Sequence, residues 1–182
     1  SPETAYLIKQ SVYYSDLSNG LFDITIAPVT TLWNFSSKQI TANRNTIPAK
    51  ADLDSALKHV GYHNIVVDGN DVTLKDPDAA IDLGGIAKGY IADRLKDYLV
   101  SQGVKSGIID LGGNILTLGD KSPGQAWKIG IRDPRITRGG PVMGLPVISK
   151  TVVTSGIHER FFVENGNHWH HIIDPATGYP AQ

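Results

Sequence analysis

The hydrophobic residues of this chain change from helical spacing in the first half to strand-like spacing in the second, and this change constrains the fold most. The clearest helical pattern covers residues 86–102, and Gly103 follows where a helix C-terminus favours glycine. Strand-like runs follow it at 107–119, 127–133, 147–155, 160–166 and 168–174. Because helices and strands are segregated along the chain, we expect a layered α+β fold with a largely antiparallel sheet and helices packed against it.

The N-terminal segment predicts another helix. Within residues 3–14, an apolar face is formed by Ala5, Leu7, Ile8 and Val12, and the pattern ends at residues 18–20. In the helix at 86–102, the residues spaced to share one apolar face are Ala87, Ile91, Leu95, Tyr98 and Leu99.

The segments between these helices are shorter. Asp52 or Asp54 is in position to cap a helix that runs to His59 and stops at Gly61. Residues 64–75 predict a β-hairpin whose turn is residues 68–71. Residues 34–50 are polar and turn-rich, so we expect them to cross the surface without an apolar face of their own.

Composition excludes several classes of function. With 17 Lys and Arg against 18 Asp and Glu, the net charge is -1, which gives no overall attraction to nucleic acid or anionic lipid. No apolar run approaches the roughly 18–20 residues of a membrane-spanning helix, so we expect no membrane span in this chain. The absence of cysteine excludes disulfides, thiolate zinc sites and a cysteine nucleophile. Any metal must therefore bind oxygen or imidazole.

The tetrapeptide Asp-Leu-Gly-Gly occurs twice, at 82–85 and 110–113. The first copy precedes the predicted helix, whose free N–H groups favour an anion, and Lys88 adds a cation, which suggests a phosphate ligand. Alternatively, Asp82 is an ordinary cap of a tight turn and Lys88 is solvated. No helical pattern follows the second copy, so its glycines suggest a strand bulge or a close backbone approach, although Asp110 and Asn114 could hydrogen-bond a polar ring.

The C-terminal segment is rich in histidine. On a strand, His168 and His170 share one face while His171 takes the other, which does not favour a trio of zinc ligands. His171 beside Asp174 could act as a general base, but a packed histidine and an aspartate that only shapes the turn explain the pattern as well. A catalytic Ser-His-Asp triad could be assembled from Ser155 and these two residues. The sequence around Ser155 lacks the Gly-x-Ser-x-Gly elbow of serine hydrolases, so hydrolysis by serine is disfavoured.

Six segments carry motifs in a fixed order: NGLFDITIAPVTTLW (19–33), DLGGIAKGYIAD (82–93), GIIDLGGNILTLG (107–119), WKIGIRDP (127–134), TSGIHERFF (154–162) and HHIIDPATGYPA (170–181). Together they resemble the ApbE family, the FAD:protein FMN transferases. The resemblance implies a magnesium-dependent enzyme that moves FMN from FAD to a Thr or Ser hydroxyl of an acceptor flavoprotein and releases AMP. The alternatives are a magnesium-dependent FAD pyrophosphatase that yields FMN and AMP, or an inactive flavin-binding fragment.

The resemblance also implies residue roles. Positions expected to contact FAD are Leu21, Phe22, Asp23, Asp82, Lys88 and Ile173. We add Ser155 and Gly156 because this pair allows close backbone approach beside a hydroxyl. The carbonyl of Gly85 is expected to bind Mg²⁺. His171 is expected to assist proton removal from the acceptor hydroxyl, with Asp174 as its catalytic partner.

Family members also have segments that this sequence does not include. They usually begin with an export signal and lipobox, and they continue past the His-x-x-Asp-Pro turn into a strand and helix that complete the metal site. We therefore expect residues 1–182 to be an ApbE-like flavin transferase core truncated at both ends. The resemblance implies a membrane-associated lipoprotein outside the cytoplasm, in the periplasm or at the cell surface, whose partners are FAD and an acceptor flavoprotein and do not include nucleic acid.

Overall fold

The structure, a computed structural model, describes residues 1–35, 47–133, 140–158 and 160–182. The helices in these ranges are α1 (Pro2–Leu17), α2 (Ala27–Trp33), α3 (Lys50–Leu57) and α4 (Ala87–Ser101), with a 3₁₀ turn at Tyr62–Asn64. The strands are β1 (Ile65–Asp68), β2 (Asp71–Leu74), β3 (Gly107–Asp110), β4 (Ile115–Leu118), β5 (Trp127–Ile131), β6 (Met143–Val147), β7 (Thr151–Val152), β8 (Phe161–Glu164) and β9 (Asn167–His170).

All strand pairs in the described ranges are antiparallel, which confirms the α+β class predicted from the sequence. The strands form small sheets with the orders β1-β2, β3-β4-β7, β5-β6 and β8-β9. The predicted hairpin at 64–75 is present, with Asp68 opposite Asp71 across the two-residue turn Gly69-Asn70. None of the helices in these ranges has the length and apolar character needed to cross a bilayer.

The chain divides into two compact units. Unit 1 comprises Ser1–Ile86 and Ile157–Gln182, and unit 2 comprises Ala87–Gly156. Of the predicted FAD-binding residues, Lys88, Ser155 and Gly156 belong to unit 2 and the others to unit 1.

Helix α1 is present as predicted, and its first residues favour the start of a helix. Ser1 caps it by accepting a hydrogen bond from the Thr4 N–H at 3.3 Å, and Pro2 occupies the first turn, where its missing N–H costs nothing. Ala5, Leu7 and Ile8 are buried as expected.

Helix α3 exists as predicted, but its start differs. It begins at Lys50 after Ala49, which provides no side-chain cap, and it ends at Leu57 rather than His59. The prediction that Asp52 or Asp54 caps it is wrong, because both lie inside the helix and Asp54 pairs with Lys50 one turn earlier, at 2.7 Å.

Helix α4 ends as predicted, but three residues of the predicted apolar face do not pack. The Gly103 N–H binds the Val100 carbonyl, and the Val104 N–H binds the Leu99 carbonyl, which is a Schellman ending with φ of +84° at Gly103. Ala92 is buried, and Leu99 packs beside it against Ile109, Leu116 and Leu118. Ile91, Leu95 and Tyr98 stay exposed, since the face of the helix that packs against the sheet is the one that carries Ala92.

Three strand predictions need correction. Of the segment 147–155, Val147 is the last residue of β6 and only Thr151–Val152 form a further strand, β7. In the segment 168–174, the strand ends at His170. The second Asp-Leu-Gly-Gly copy is the turn between β3 and β4, not a bulge: Gly112 and Gly113 have φ of +68° and +88°, and the Leu111 N–H binds the Asn114 carbonyl.

Most of the predicted surface excursion at 34–50 lies outside the described residues, at 36–46. Its flanks do not match the expectation of a segment without apolar contacts. Phe35 is buried and stacks on Trp33 at 5.7 Å between ring centroids, and Ile47 packs against the same cluster.

An aromatic cluster centred on Trp33 forms one hydrophobic core of unit 1. Its ring lies 5.5–6.2 Å, centroid to centroid, from four aromatic rings, those of Phe35, Phe162, Trp169 and Tyr179. The Trp33 Nε1–H donates a 2.7 Å hydrogen bond to the carbonyl of buried Gly178. This bond attaches the C-terminal segment to helix α2 across 145 residues of sequence.

The Trp33→Phe variant tests this attachment. It keeps an aromatic ring but leaves the buried Gly178 carbonyl unpaired, so we expect a loss of roughly 1–3 kcal/mol in the free energy of unfolding, measured by chemical denaturation. The matched control is Trp127→Phe, since the Trp127 Nε1–H donates a longer bond, 3.3 Å, to the Leu118 carbonyl in unit 2. A loss at Trp33 no greater than that at Trp127 would contradict the role assigned to the Gly178 bond.

Candidate functional site

An apolar groove in unit 1 brings together two of the predicted site residues, Phe22 and Gly85. The groove has a volume of about 380 Å³ and is lined by Tyr14, Leu17, Ser18, Phe22, Gly85 and Ile86. A Cβ at Gly85 would lie 2.9 Å from the Phe22 ring, so glycine is required for this close approach. Leu21, the residue before Phe22, has 74% of its surface exposed.

Asp23 has a structural position that the sequence did not indicate. Its carboxylate is buried and accepts hydrogen bonds from the Thr25 N–H and hydroxyl through Oδ1, and from the Tyr62 N–H through Oδ2. The Thr25 hydroxyl accepts in turn from the Gly61 N–H at 2.7 Å. These bonds join the segment after α1 to the start of the β1–β2 hairpin, and the predicted FAD contact of Asp23 stays a prediction.

Asp82 shapes the turn that carries Gly85. Its N–H donates to the Ile24 carbonyl at 2.7 Å, and its Oδ1 accepts from the Gly84 N–H at 2.7 Å. This is the cap-like arrangement that the sequence analysis left open as the alternative to a ligand contact. Because Asp82 is exposed, its carboxylate is also within reach of a ligand.

The predicted site residues of unit 2 lie on three segments. Lys88 is in the first turn of α4, and its ammonium lies near the β3–β4 turn, 3.7 Å from where a Cβ on Gly112 would be. In that turn, the Asp110 Oδ1 accepts from the Gly113 N–H at 2.8 Å, and the Oδ1 of buried Asn114 has no hydrogen-bond partner among the described residues. Ser155 and Gly156 follow β7 in irregular backbone, where Ser155 is exposed.

His171 lies just after β9, at the start of the C-terminal segment. Its N–H donates to the Arg160 carbonyl at 3.1 Å, and its Nδ1 lies 3.3 Å from the same oxygen. A carbonyl only accepts, so the Nδ1–H of His171 is the donor in this contact. The two bonds to one carbonyl hold the ring beside Arg160, and the role of His171 as a base stays a prediction.

Asp174 organises the turn after His171. Its Oδ1 accepts from the Ala176 N–H at 2.9 Å, while its main chain bonds to Gly178 and Tyr179. Ile173 forms a β-bridge with Pro180 and packs against the Trp33 cluster. The turn-forming role that the sequence analysis weighed for Asp174 is confirmed, and its catalytic role stays a prediction.

His170 positions this segment, and the sequence analysis assigned it no such role. Its Nε2 donates to the Ala181 carbonyl at 2.9 Å, and its Nδ1 accepts from the Ile172 N–H at 3.3 Å, so both ring nitrogens are used by the neutral imidazole. Burial lowers the pKa of His170 against the effect of the Ala181 bond, and positive charge on His171 and His158 lowers it further. The sequence signal that could have indicated this role is the alternation with Trp169, which places His170 on the opposite face of β9.

His168 lies on the same face of β9 as His170. Its ring stacks on Phe161 at 4.1 Å between centroids. Partial burial lowers the pKa of His168, and repulsion from His158 and His170 adds to the effect. The alternation predicted for this strand is therefore confirmed, because Trp169 points instead into the Trp33 cluster.

Comparison with known proteins gives consistent results. The model of the ApbE family matches residues 1–182. A protein of Klebsiella pneumoniae named FAD:protein FMN transferase is 37% identical over 176 residues, which cover 96% of this chain and 52% of that protein. One of the same name from Treponema pallidum is 34% identical over 190 residues, covering 96% and 51%. The chain thus spans about half the length of these curated relatives.

The fold is also found in a solved structure. The crystal structure of the ApbE protein from Thermotoga maritima superimposes with a TM-score of 0.87 at 37% sequence identity. The match covers 100% of this chain and 58% of that one.

The lowered pKa values of His168 and His170 predict a pH dependence of stability. Both groups bind a proton less readily in the folded than in the unfolded chain, so their contribution is fully present above the unfolded value of 6.5 and is lost as the pH falls through it. We expect the denaturant concentration at the unfolding midpoint to decrease as the pH is lowered from about 7.5 to about 5.5. In His168→Gln this decrease should be smaller. The pH dependence of the midpoint should therefore differ between His168→Gln and the parent. The same pH dependence in both, or an equally reduced one in the exposed control His63→Gln, would contradict the role assigned to His168.

Proposed function

Because the chain belongs to the ApbE family, we propose that it takes part in transferring FMN from FAD to a Thr or Ser hydroxyl of an acceptor flavoprotein, with release of AMP. The observation that carries the proposal is the pairing of Phe22 with Gly85 in one groove of the unit that also holds His171. The relatives named FAD:protein FMN transferase support the choice of substrate.

The groove supports a role in binding FAD. Its walls are mainly apolar and include the rings of Tyr14 and Phe22, which suit an aromatic heterocycle. Asp82 and the Gly84-Gly85 backbone lie on the segment that leads into α4, whose first turn carries Lys88. A lysine at this position adds positive charge where a diphosphate would need it.

Magnesium is the metal that the family resemblance implies, and the donor available at Gly85 fits it. Gly85 is exposed, and a main-chain carbonyl is a hard oxygen ligand of the kind Mg²⁺ takes. When bound, the ion would neutralise negative charge on the diphosphate. Gly85 supplies at most one ligand, and the Phe22 ring keeps a side chain from occupying this position.

His171 is proposed as the base. Its imidazole would accept the proton of the acceptor hydroxyl as the new oxygen–phosphorus bond to FMN forms and the bond between phosphorus and the bridging oxygen of the diphosphate breaks. AMP departs with that bridging oxygen. Asp174 would contribute by holding the turn behind His171 through its bond to the Ala176 N–H.

The location outside the cytoplasm and the lipid anchor that the resemblance implies belong to this proposal as well. They would place the enzyme beside flavoproteins of membrane redox complexes. Fractionation of cells that produce the native protein would test them directly.

The proposed role of His171 predicts a defect in chemistry without one in binding. We expect His171→Ala to slow FMN transfer by about 10²–10⁴-fold with little change in FAD affinity, whereas Asp82→Ala should weaken FAD binding itself. The measurements are the intact mass of the acceptor after incubation with FAD and Mg²⁺, and FAD titration by fluorescence. His63→Ala serves as the control for loss of a histidine elsewhere in unit 1.

The products separate the alternatives. One added FMN on the acceptor supports the transferase, and free FMN with AMP alone would identify a pyrophosphatase. FAD binding without turnover would identify a flavin-binding protein. Equal losses of binding and rate in His171→Ala and Asp82→Ala would contradict the separate roles proposed for these residues.

A further inference from the structure

Three side chains of unit 1 that do not line the groove lie close together: His59, Asp76 and Asp78. Each offers one ligand atom, and these atoms all lie within 4.8 Å of one another. The closest pair is the His59 Nδ1 and the Asp76 Oδ2, 2.8 Å apart. His59 follows helix α3 and the two aspartates follow strand β2, so the cluster joins two segments that are distant in sequence.

The spacing of these atoms is close to that of a metal coordination shell. A divalent transition metal binds nitrogen and oxygen at about 2.0–2.2 Å, so neighbouring ligand atoms in its shell lie roughly 3–3.5 Å apart. The His59–Asp76 pair is near this spacing, and Asp78 is exposed, so its carboxylate has room to move the remaining distance.

The backbone orients the central carboxylate. The Asp78 N–H donates to the Asp76 Oδ1 at 2.9 Å, which leaves the Oδ2 directed at His59. Outer hydrogen bonds of this type fix the orientation of metal ligands and raise affinity. The side chains of His59 and Asp76 keep 30% and 21% of their surface exposed, so an ion can reach them from solvent.

We propose that His59, Asp76 and Asp78 form a binding site for a divalent transition metal such as Zn²⁺, Mn²⁺ or Co²⁺. One imidazole with two carboxylates is a donor set that such ions accept, whereas Mg²⁺ prefers oxygen alone. The two carboxylates balance the charge of the ion. The site is thus chemically different from the Mg²⁺ position proposed at Gly85.

A metal here would stabilise the approach to the proposed FAD site. Asp76 and Asp78 lead through Ala80, which bridges to Ile26, into the Asp82–Gly85 turn. An ion that clamps this segment to the end of α3 would restrict its motion without touching the groove. Three protein ligands leave at least one coordination position for water.

The test is metal titration of the chelator-stripped protein. We expect Co²⁺ to bind in a 1:1 complex with visible absorption from a nitrogen-containing shell, and Mg²⁺ in large excess not to displace it. At a hundredfold excess of Zn²⁺ over its dissociation constant, Tm should rise by roughly 5–10 °C.

Asp78→Asn separates a metal site from an ion pair of His59 with Asp76. This variant keeps that pair and the Asp78 N–H bond, so Tm without metal should stay unchanged while Co²⁺ affinity falls at least about tenfold. His59→Gln should lose both the affinity and the visible band. The matched controls, His63→Gln and Asp71→Asn, remove the same residue types from exposed positions nearby and should bind as the parent does.

Two results would overturn the proposal. One is the absence of saturable Co²⁺ binding by the parent protein. The other is equal affinity in the parent, Asp78→Asn and His59→Gln, which would place the metal elsewhere. Since Asp78 is exposed, a folding defect in His59→Gln would leave the Asp78→Asn comparison decisive.

Discussion

The hydrogen bond from Trp33 to the Gly178 carbonyl is the interaction on which the proposed active site depends most. Helix α2, which ends at Trp33, is joined through Ile26 and Thr25 to the Leu21–Asp23 motif, and Gly178 closes the turn that follows His171. Aromatic packing around Trp33 excludes water from this bond, which strengthens it and makes its loss costly. One buried indole thus fixes the ends of two distant motifs within unit 1.

Buried polar groups complete the same frame. Asp23 ties the segment after α1 to Tyr62, and His170 ties the segment after β9 to Ala181. The Asp23 carboxylate and the His170 ring are themselves buried and these bonds give them partners, so the two residues specify one backbone path. Phe22 and His171, which we propose act on FAD, are each one residue away along the chain.

The sequence predicted the elements well where local signals agreed. Helix α1 had regularly spaced apolar residues and a stop signal at residues 18–20, helix α4 had a glycine ending, and both helices were found. It failed where tertiary contacts decided the outcome. Ala92 faces the sheet although Ile91 and Leu95 are more hydrophobic, and α3 starts without the aspartate cap that its composition suggested. Nothing in the sequence indicated that Asp23 or His170 would bind the backbone, because a buried acceptor and a ligand contact use the same residue types.

Hydrogen–deuterium exchange with and without FAD tests the central claim most directly, namely that the Phe22, Gly85 and His171 segments of unit 1 act on one dinucleotide. The account predicts that FAD slows exchange in peptides covering residues 21–23, 82–86 and 171–174 together, over the same range of FAD concentration, and leaves the exposed Gly69-Asn70 turn unchanged. Slower exchange in only one of these segments, or none at the His171 segment, would contradict it.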